Sequence, residues 1–128
     1  MQMGIKQLLE AKNLSYLSFL YSAAITALLL MPVPKDTSIS IPFFDKLAHI
    51  SVFAVFGLLW FLVAFKKGQA QKIVWVFTLL TFYGIVIETF QGLFVISRNF
   101  DLLDILANTL GLLLGMAIYF LIKKRSWL

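Results

Sequence analysis

Four long apolar runs dominate the sequence, and each is long enough to cross a lipid bilayer as a helix. They cover Leu14–Met31, Leu47–Phe65, Ile73–Ser97 and Leu102–Ile122, with entry into the second helix at residue 45. About 18 apolar residues indicate one spanning helix. In hydrocarbon a segment must satisfy its own backbone hydrogen bonds, as a helix does. The pattern predicts an all-α, four-helix transmembrane bundle forming one membrane domain over residues 1–128.

The composition excludes several other classes of protein. Of 128 residues, 61% are hydrophobic and only 13% are charged, so a soluble domain of this length has too little interior to bury them. Disorder requires fewer apolar residues and more charge. Cysteine is absent, which excludes a disulfide scaffold. A β-barrel is disfavoured because the apolar runs are continuous rather than alternating.

The connections between the runs are short and polar. Pro32 and Pro34 end the first helix and open a polar loop that reaches residue 44. A basic turn over residues 66–72 follows the second helix, and a turn at residues 98–101 follows the third. Short connections make consecutive helices antiparallel neighbours, so successive helices begin on opposite sides of the membrane.

The distribution of lysine and arginine predicts the orientation. Eight basic residues fall on the side that carries both chain ends, namely Lys6, Lys12, Lys66, Lys67, Lys72, Lys123, Lys124 and Arg125. The other side has three. By the positive-inside rule, both termini are expected on the cytoplasmic side of the membrane. The net charge of +5 therefore reflects topology and contact with membrane lipids, and no nucleic-acid partner is expected.

Polar residues within the runs cluster in the half of the membrane predicted to be outer. Such groups are costly in hydrocarbon and usually face the interior of a bundle. Helical spacing places several of them on shared faces. The candidate polar pocket consists of Asp45, Lys46, His49, Glu88, Gln91, Arg98, Asp101, Asp104 and Asn108. Gly111 and Gly115 continue the last stripe and are interpreted as helix-packing residues.

Glu88 is the deepest ionisable group, and helix capping does not explain it. The structural interpretation of Glu88 is an ion pair with Arg98 or a hydrogen bond to His49. The functional interpretation, which we favour, is a member of the polar pocket.

Three motifs on successive helices resemble the VanZ-like family. They are Asp45-Lys46-x-x-His49, then Glu88-x-x-Gln91, then Arg98-x-x-Asp101-x-x-Asp104-x-x-x-Asn108-x-x-Gly111. The resemblance extends over residues 14–122. It implies a small integral membrane protein of bacteria with a polar site, and hence a location in the bacterial inner membrane with both termini inside. The family is named for a protein associated with resistance to the glycopeptide antibiotic teicoplanin.

A shorter pattern occurs twice. Residues 45–49 and 104–108 share the form Asp-x-Leu-Ala-[His/Asn], and both open helices that run inward from the predicted outer side. This similarity suggests a hypothesis of descent from a duplicated two-helix unit.

Three functions fit these features. The first is binding or transport of an amphipathic cell-envelope lipid, such as a polyprenyl-linked precursor, with Lys46, Arg98 and His49 holding its phosphate. The second is an intramembrane enzyme in which His49 is a general base beside Glu88 or Asp104, or in which the three carboxylates of Glu88, Asp101 and Asp104 hold a divalent cation. The third is a structural or regulatory subunit. The favoured first hypothesis requires no cofactor and no metal, and a homo-oligomer is compatible with it.

Overall fold

The computed structural model describes residues 5–32, 44–96 and 98–125, without the side chains of Ile5 and Leu8. One helical turn at Ile5–Leu8 precedes four long helices. These are α1 (Ala11–Leu29), α2 (Phe44–Lys66), α3 (Ile73–Phe94) and α4 (Leu102–Lys124), and a short 3-10 turn at Ala70–Lys72 leads into α3. No strand occurs in these ranges, so the all-α prediction is confirmed.

Within the described ranges, three segments are long and apolar enough to cross a membrane. They are Phe44–Lys66, Ala70–Phe94 and Leu102–Lys124. At about 1.5 Å per residue, a helix of 23 residues is about 34 Å long, which matches the hydrocarbon thickness of a bilayer. About half of the apolar stretch of α2 is buried inside the bundle, more than for the other two segments, so this helix is the central one.

The first helix differs from the other three and is not one of these three candidate membrane-spanning segments. Hydroxyl side chains recur along it at Ser15, Ser18, Ser22 and Thr26, and each donates a hydrogen bond to the carbonyl four residues earlier. Two of them also reach neighbouring helices. The Trp60 indole N–H donates to the Ser22 hydroxyl over 3.0 Å, and Thr26 Oγ1 bonds to the Tyr83 hydroxyl. Hydrogen bonds of this kind join helices inside a membrane.

The helix ends differ slightly from the predicted ones. The third helix ends at Phe94 rather than residue 97, because Val95 adopts an extended conformation that turns the chain toward α4. The first helix begins at Ala11 and ends at Leu29. The polar connection predicted between the first two helices falls mainly on residues 33–43, outside the described ranges.

Hydrogen bonds show that helices consecutive along the chain run antiparallel, whereas α2 and α4, which pack against each other, run parallel. Gln91, near the end of α3, donates to the carbonyl of Leu29 at the end of α1. Lys46, in the first turn of α2, donates to Asp101 at the start of α4. Glu88 of α3 also contacts Asp101, so all four helix ends meet. We call this the polar end of the bundle, where α1 and α3 finish and α2 and α4 begin.

Two glycines bring α4 against the backbone of α2. A Cβ atom built on Gly115 would lie 2.5 Å from the carbonyl oxygen of Ala54 and 3.0 Å from the amide nitrogen of Leu58. A Cβ on Gly111 would lie 2.9 Å from Phe53 Cβ and closer still to the Ile50 carbonyl oxygen. The predicted packing role of both glycines is consistent with this close approach.

We predict that Gly115→Ala lowers the melting temperature in detergent, because backbone atoms of α2 cannot yield to a methyl group. Overpacking of this kind costs about 1–3 kcal/mol. Gly57→Ala is the matched control in the same interface, since its added Cβ would meet mainly the Leu112 side chain, at 3.1 Å, and side chains can move. An equal loss in the two variants would contradict the proposed backbone contact.

Candidate functional site

Lys46 is the centre of a charged cluster at the polar end. Its ammonium donates to Asp101 Oδ2 over 2.5 Å and forms a second, shorter contact with Asp104 Oδ1. Asp45 Oδ2 lies 3.8 Å from the same nitrogen. Lys46 and Asp45 belong to the first turn of α2, and the other two carboxylates belong to the start of α4. The ammonium therefore joins the two helices where they enter the bundle.

Asp101 has a second role as the N-cap of α4. Its Oδ1 accepts a hydrogen bond from the backbone N–H of Leu103 over 2.8 Å, which satisfies a donor that the helix leaves free. The hydrogen bond from Lys46, followed in importance by that from Leu103, holds the pKa of Asp101 below its ordinary value. Asp101 is thus a carboxylate in the neutral pH range.

His49 lies one turn deeper and is 3% exposed. Its Nδ1 is 2.7 Å from Asn108 Oδ1. An amide oxygen only accepts hydrogen bonds, so Nδ1 is the donor, and in the neutral imidazole Nε2 carries the lone pair. Nε2 faces two carboxylates beyond hydrogen-bond length, with Asp45 Oδ1 at 3.8 Å and Asp104 Oδ2 at 3.9 Å.

Glu88 is 1% exposed and reaches the site from α3. Its Oε1 accepts a hydrogen bond from the backbone N–H of Asp101 over 2.9 Å. Its Oε2 is buried and, among the described residues, has no hydrogen-bond partner. Neither structural interpretation made from the sequence describes this arrangement, because the partner of Glu88 is a backbone amide rather than Arg98 or His49.

Gln91 and Arg98 bind the end of α1. Gln91 donates from Nε2 to the Leu29 carbonyl over 2.5 Å, and Arg98 donates from Nε to the Met31 carbonyl over 3.2 Å. Helix C-termini leave carbonyls without partners, so these two side chains satisfy groups that the helix cannot. Gln91 is buried, whereas Arg98 is partly exposed.

A cavity of about 470 Å³ opens at the polar end beside the charged cluster. It is lined by Asp45, Gln91, Arg98, Asn99, Phe100, Asp101 and Asp104. A smaller cavity of about 150 Å³ lies against His49 and Arg98 on the side of α1. Asn99 and Phe100 were not among the residues singled out from the sequence. Their position in the turn directly after Arg98 is the signal that could have found them, because residues on both sides of that turn were singled out.

The structure thus brings the nine predicted pocket residues to one end of the bundle, although they do not share one surface. Asp45, Gln91, Arg98, Asp101 and Asp104 line the larger cavity, and His49 lines the smaller one. Lys46, Glu88 and Asn108 stand behind these residues and contact them. Three of the nine, Asp45, His49 and Asp104, each place one oxygen or nitrogen atom within 4.8 Å of the others. This trio differs from a purely acidic set because it includes an imidazole.

We predict that Lys46→Met destabilises the protein, because it leaves Asp101 and Asp104 facing each other without a cation. Removing one partner of a buried ion pair costs about 3–5 kcal/mol, and the partial exposure of Lys46 and Asp101 lowers this to about 1–3 kcal/mol. The measurement is thermal unfolding in detergent. Adding Asp104→Asn to Lys46→Met should restore part of the loss, and an additive loss would contradict the ion-pair explanation.

A family model described as VanZ/LLP1 matches residues 4–123, which is nearly the whole chain. No curated protein and no solved structure matches the sequence significantly. The charged residues at the polar end include those on which the resemblance to VanZ-like proteins depends. The chain belongs to the VanZ/LLP1 family of membrane proteins.

Proposed function

We propose that this protein binds an amphipathic lipid of the bacterial cell envelope, with the polar head group in the larger cavity and the apolar tail in the bilayer. The observation that carries the proposal is the cavity itself. Its volume of about 470 Å³ lies within the usual range for small-molecule sites, and its lining is polar although the surrounding bundle is apolar. Polar surface at the end of membrane-spanning helices is typical of a site for a polar ligand.

The lining favours a head group that combines a phosphate with several hydroxyl or amide donors. Arg98 is the cationic side chain of the lining, and only its Nε is engaged by a described residue, so its terminal nitrogens offer a two-pronged contact to a phosphate. Carboxylate and amide oxygens of the other lining residues accept hydrogen bonds from hydroxyls. A sugar linked to a polyprenyl phosphate carries both kinds of group.

The geometry alters the role expected for Lys46. Its ammonium is shared between Asp101 and Asp104 and is absent from the lining of either cavity that we describe at the polar end. In the proposal, Lys46 therefore neutralises carboxylates behind the cavity. Arg98 rather than Lys46 contacts the phosphate.

The charge distribution supports a site at the outer leaflet. The basic turn that follows α2 and the basic end of α4 lie at the end of the bundle opposite the cavity. If the positive-inside rule orients the chain, these residues and both termini lie on the cytoplasmic side of the bacterial inner membrane. A lipid precursor displayed on the outer face would then reach the cavity laterally. A teicoplanin-type glycopeptide offers similar sugar hydroxyls and is included in the test as a second ligand.

We predict that the protein in nanodiscs binds a polyprenyl phosphate-linked sugar, and that Arg98→Gln weakens this binding about 10-fold or more. Hydrogen bonds to charged groups contribute about 1.5–3 kcal/mol, which corresponds to that factor. Binding is measured by calorimetry, and lipids that co-purify with the wild type are identified by mass spectrometry.

Lys67→Gln is the matched control, because Lys67 is an exposed cation at the opposite end of the bundle. Equal weakening by the two substitutions would indicate non-specific attraction between lipid and basic residues. Absence of saturable binding to the wild type would refute the proposal. Conversion of the bound lipid to a new product would favour the intramembrane enzyme instead.

A further inference from the structure

We propose that Asp45, His49 and Asp104 form a binding site for one divalent transition-metal cation of the Zn²⁺ or Mn²⁺ class. One ligand atom from each residue lies within 4.8 Å of the others. His49 Nε2 is 3.8 Å from Asp45 Oδ1 and 3.9 Å from Asp104 Oδ2. Two ligands that each lie about 2.1 Å from one ion are at most about 4.2 Å apart, so both separations suit a shared cation.

The buried histidine is a second, independent sign of a ligand. In the neutral imidazole, Nδ1 donates to the Asn108 amide oxygen and Nε2 carries the lone pair, which faces two carboxylates. Metal-binding histidines almost always donate their other ring N–H to an oxygen in this way. Both Nε2 distances exceed hydrogen-bond length, so within the described chain neither carboxylate is a hydrogen-bond partner of this nitrogen.

The local charge also favours a dication. The carboxylates of Asp45, Asp101 and Asp104 all lie within 3.8 Å of the Lys46 ammonium, so three acidic groups share this one cation. Lys46 contacts Asp104 through Oδ1, whereas Oδ2 is the oxygen that faces His49. Asp104 can therefore serve the ammonium and a metal ion with different oxygens.

The donor set selects the class of cation. Carboxylates alone suit Mg²⁺ or Ca²⁺, but an imidazole nitrogen favours the first-row transition metals. Asp45 and Asp104 also line the larger cavity, so the cation would be next to any ligand held there. The metal site goes beyond the proposed lipid binding and does not depend on it.

The experiment uses the full-length protein in nanodiscs of phosphatidylcholine, stripped with a chelator and free of polyprenyl lipids. Titration calorimetry with ZnCl₂ and with MnCl₂ should show one saturable site. We expect Asp45→Asn and His49→Gln each to weaken binding at least about 10-fold, and Asn108→Ala to weaken it about 10-fold through loss of ring orientation. MgCl₂ in excess should not displace the bound ion.

Asp45→Asn is the decisive variant because the Asp45 side chain is 65% exposed and its loss should leave the fold intact, which an unchanged melting temperature verifies. Asp101→Asn is the matched control, an acidic residue of the same cluster outside the trio, and it should retain most of the affinity. The absence of saturable binding of both ions overturns the site, and so does undiminished binding by Asp45→Asn and His49→Gln. Because no polyprenyl lipid is present, failure of the metal site and failure of lipid binding are read separately.

Discussion

The close packing of α4 on the backbone of α2 is the constraint on which the polar end depends. Gly111 and Gly115 permit this approach, since a methyl group at either position would meet carbonyl oxygens of α2. One turn and two turns nearer the polar end than Gly111, this close approach of the two helices brings Asn108 to His49 and Asp104 to Lys46. Short polar side chains such as Asn and Asp could not bridge helices held at the usual distance of 8–10 Å as readily. The site is therefore a consequence of backbone packing deeper in the bundle.

The polar groups in turn stabilise the position of the other two helices. Glu88 of α3 accepts a hydrogen bond from the backbone N–H of Asp101, just before α4, and Gln91 donates to the carbonyl of Leu29, the last residue of α1. Each contact satisfies a helix end that water would satisfy in a soluble protein. In a membrane such contacts join helices that have no hydrophobic reason to associate. Polar contacts thus stabilise the bundle at this end, whereas packing in the other half depends on buried aromatic residues such as Phe61 and Tyr119.

The sequence predicted the bundle well because length and hydropathy determine the number of helices, and short connections determine their direction. It also predicted that the polar residues would meet, since their depth and helical phase are set by counting residues. The pairing within the group could not be predicted, because the rotation and separation of helices depend on packing. Lys46 was expected at a phosphate and lies between two carboxylates, and the expected partners of Glu88 were replaced by a backbone amide. The carboxylate trio considered for a metal differs from the His-containing trio that the structure assembles.

The repeated Asp-x-Leu-Ala-[His/Asn] pattern has a structural counterpart. Its last residues, His49 and Asn108, hydrogen-bond to each other, and its first residues, Asp45 and Asp104, lie almost equally far from the same ring nitrogen. Contacts between equivalent positions are what a twofold axis between two parallel helices produces. This supports the hypothesis of a duplicated unit. The two repeats differ at their last position. Asn108 supplies an amide oxygen to His49 Nδ1, and a second histidine in its place would not. With asparagine on one side, a single imidazole is held through Nδ1 and presents Nε2 to both acidic residues.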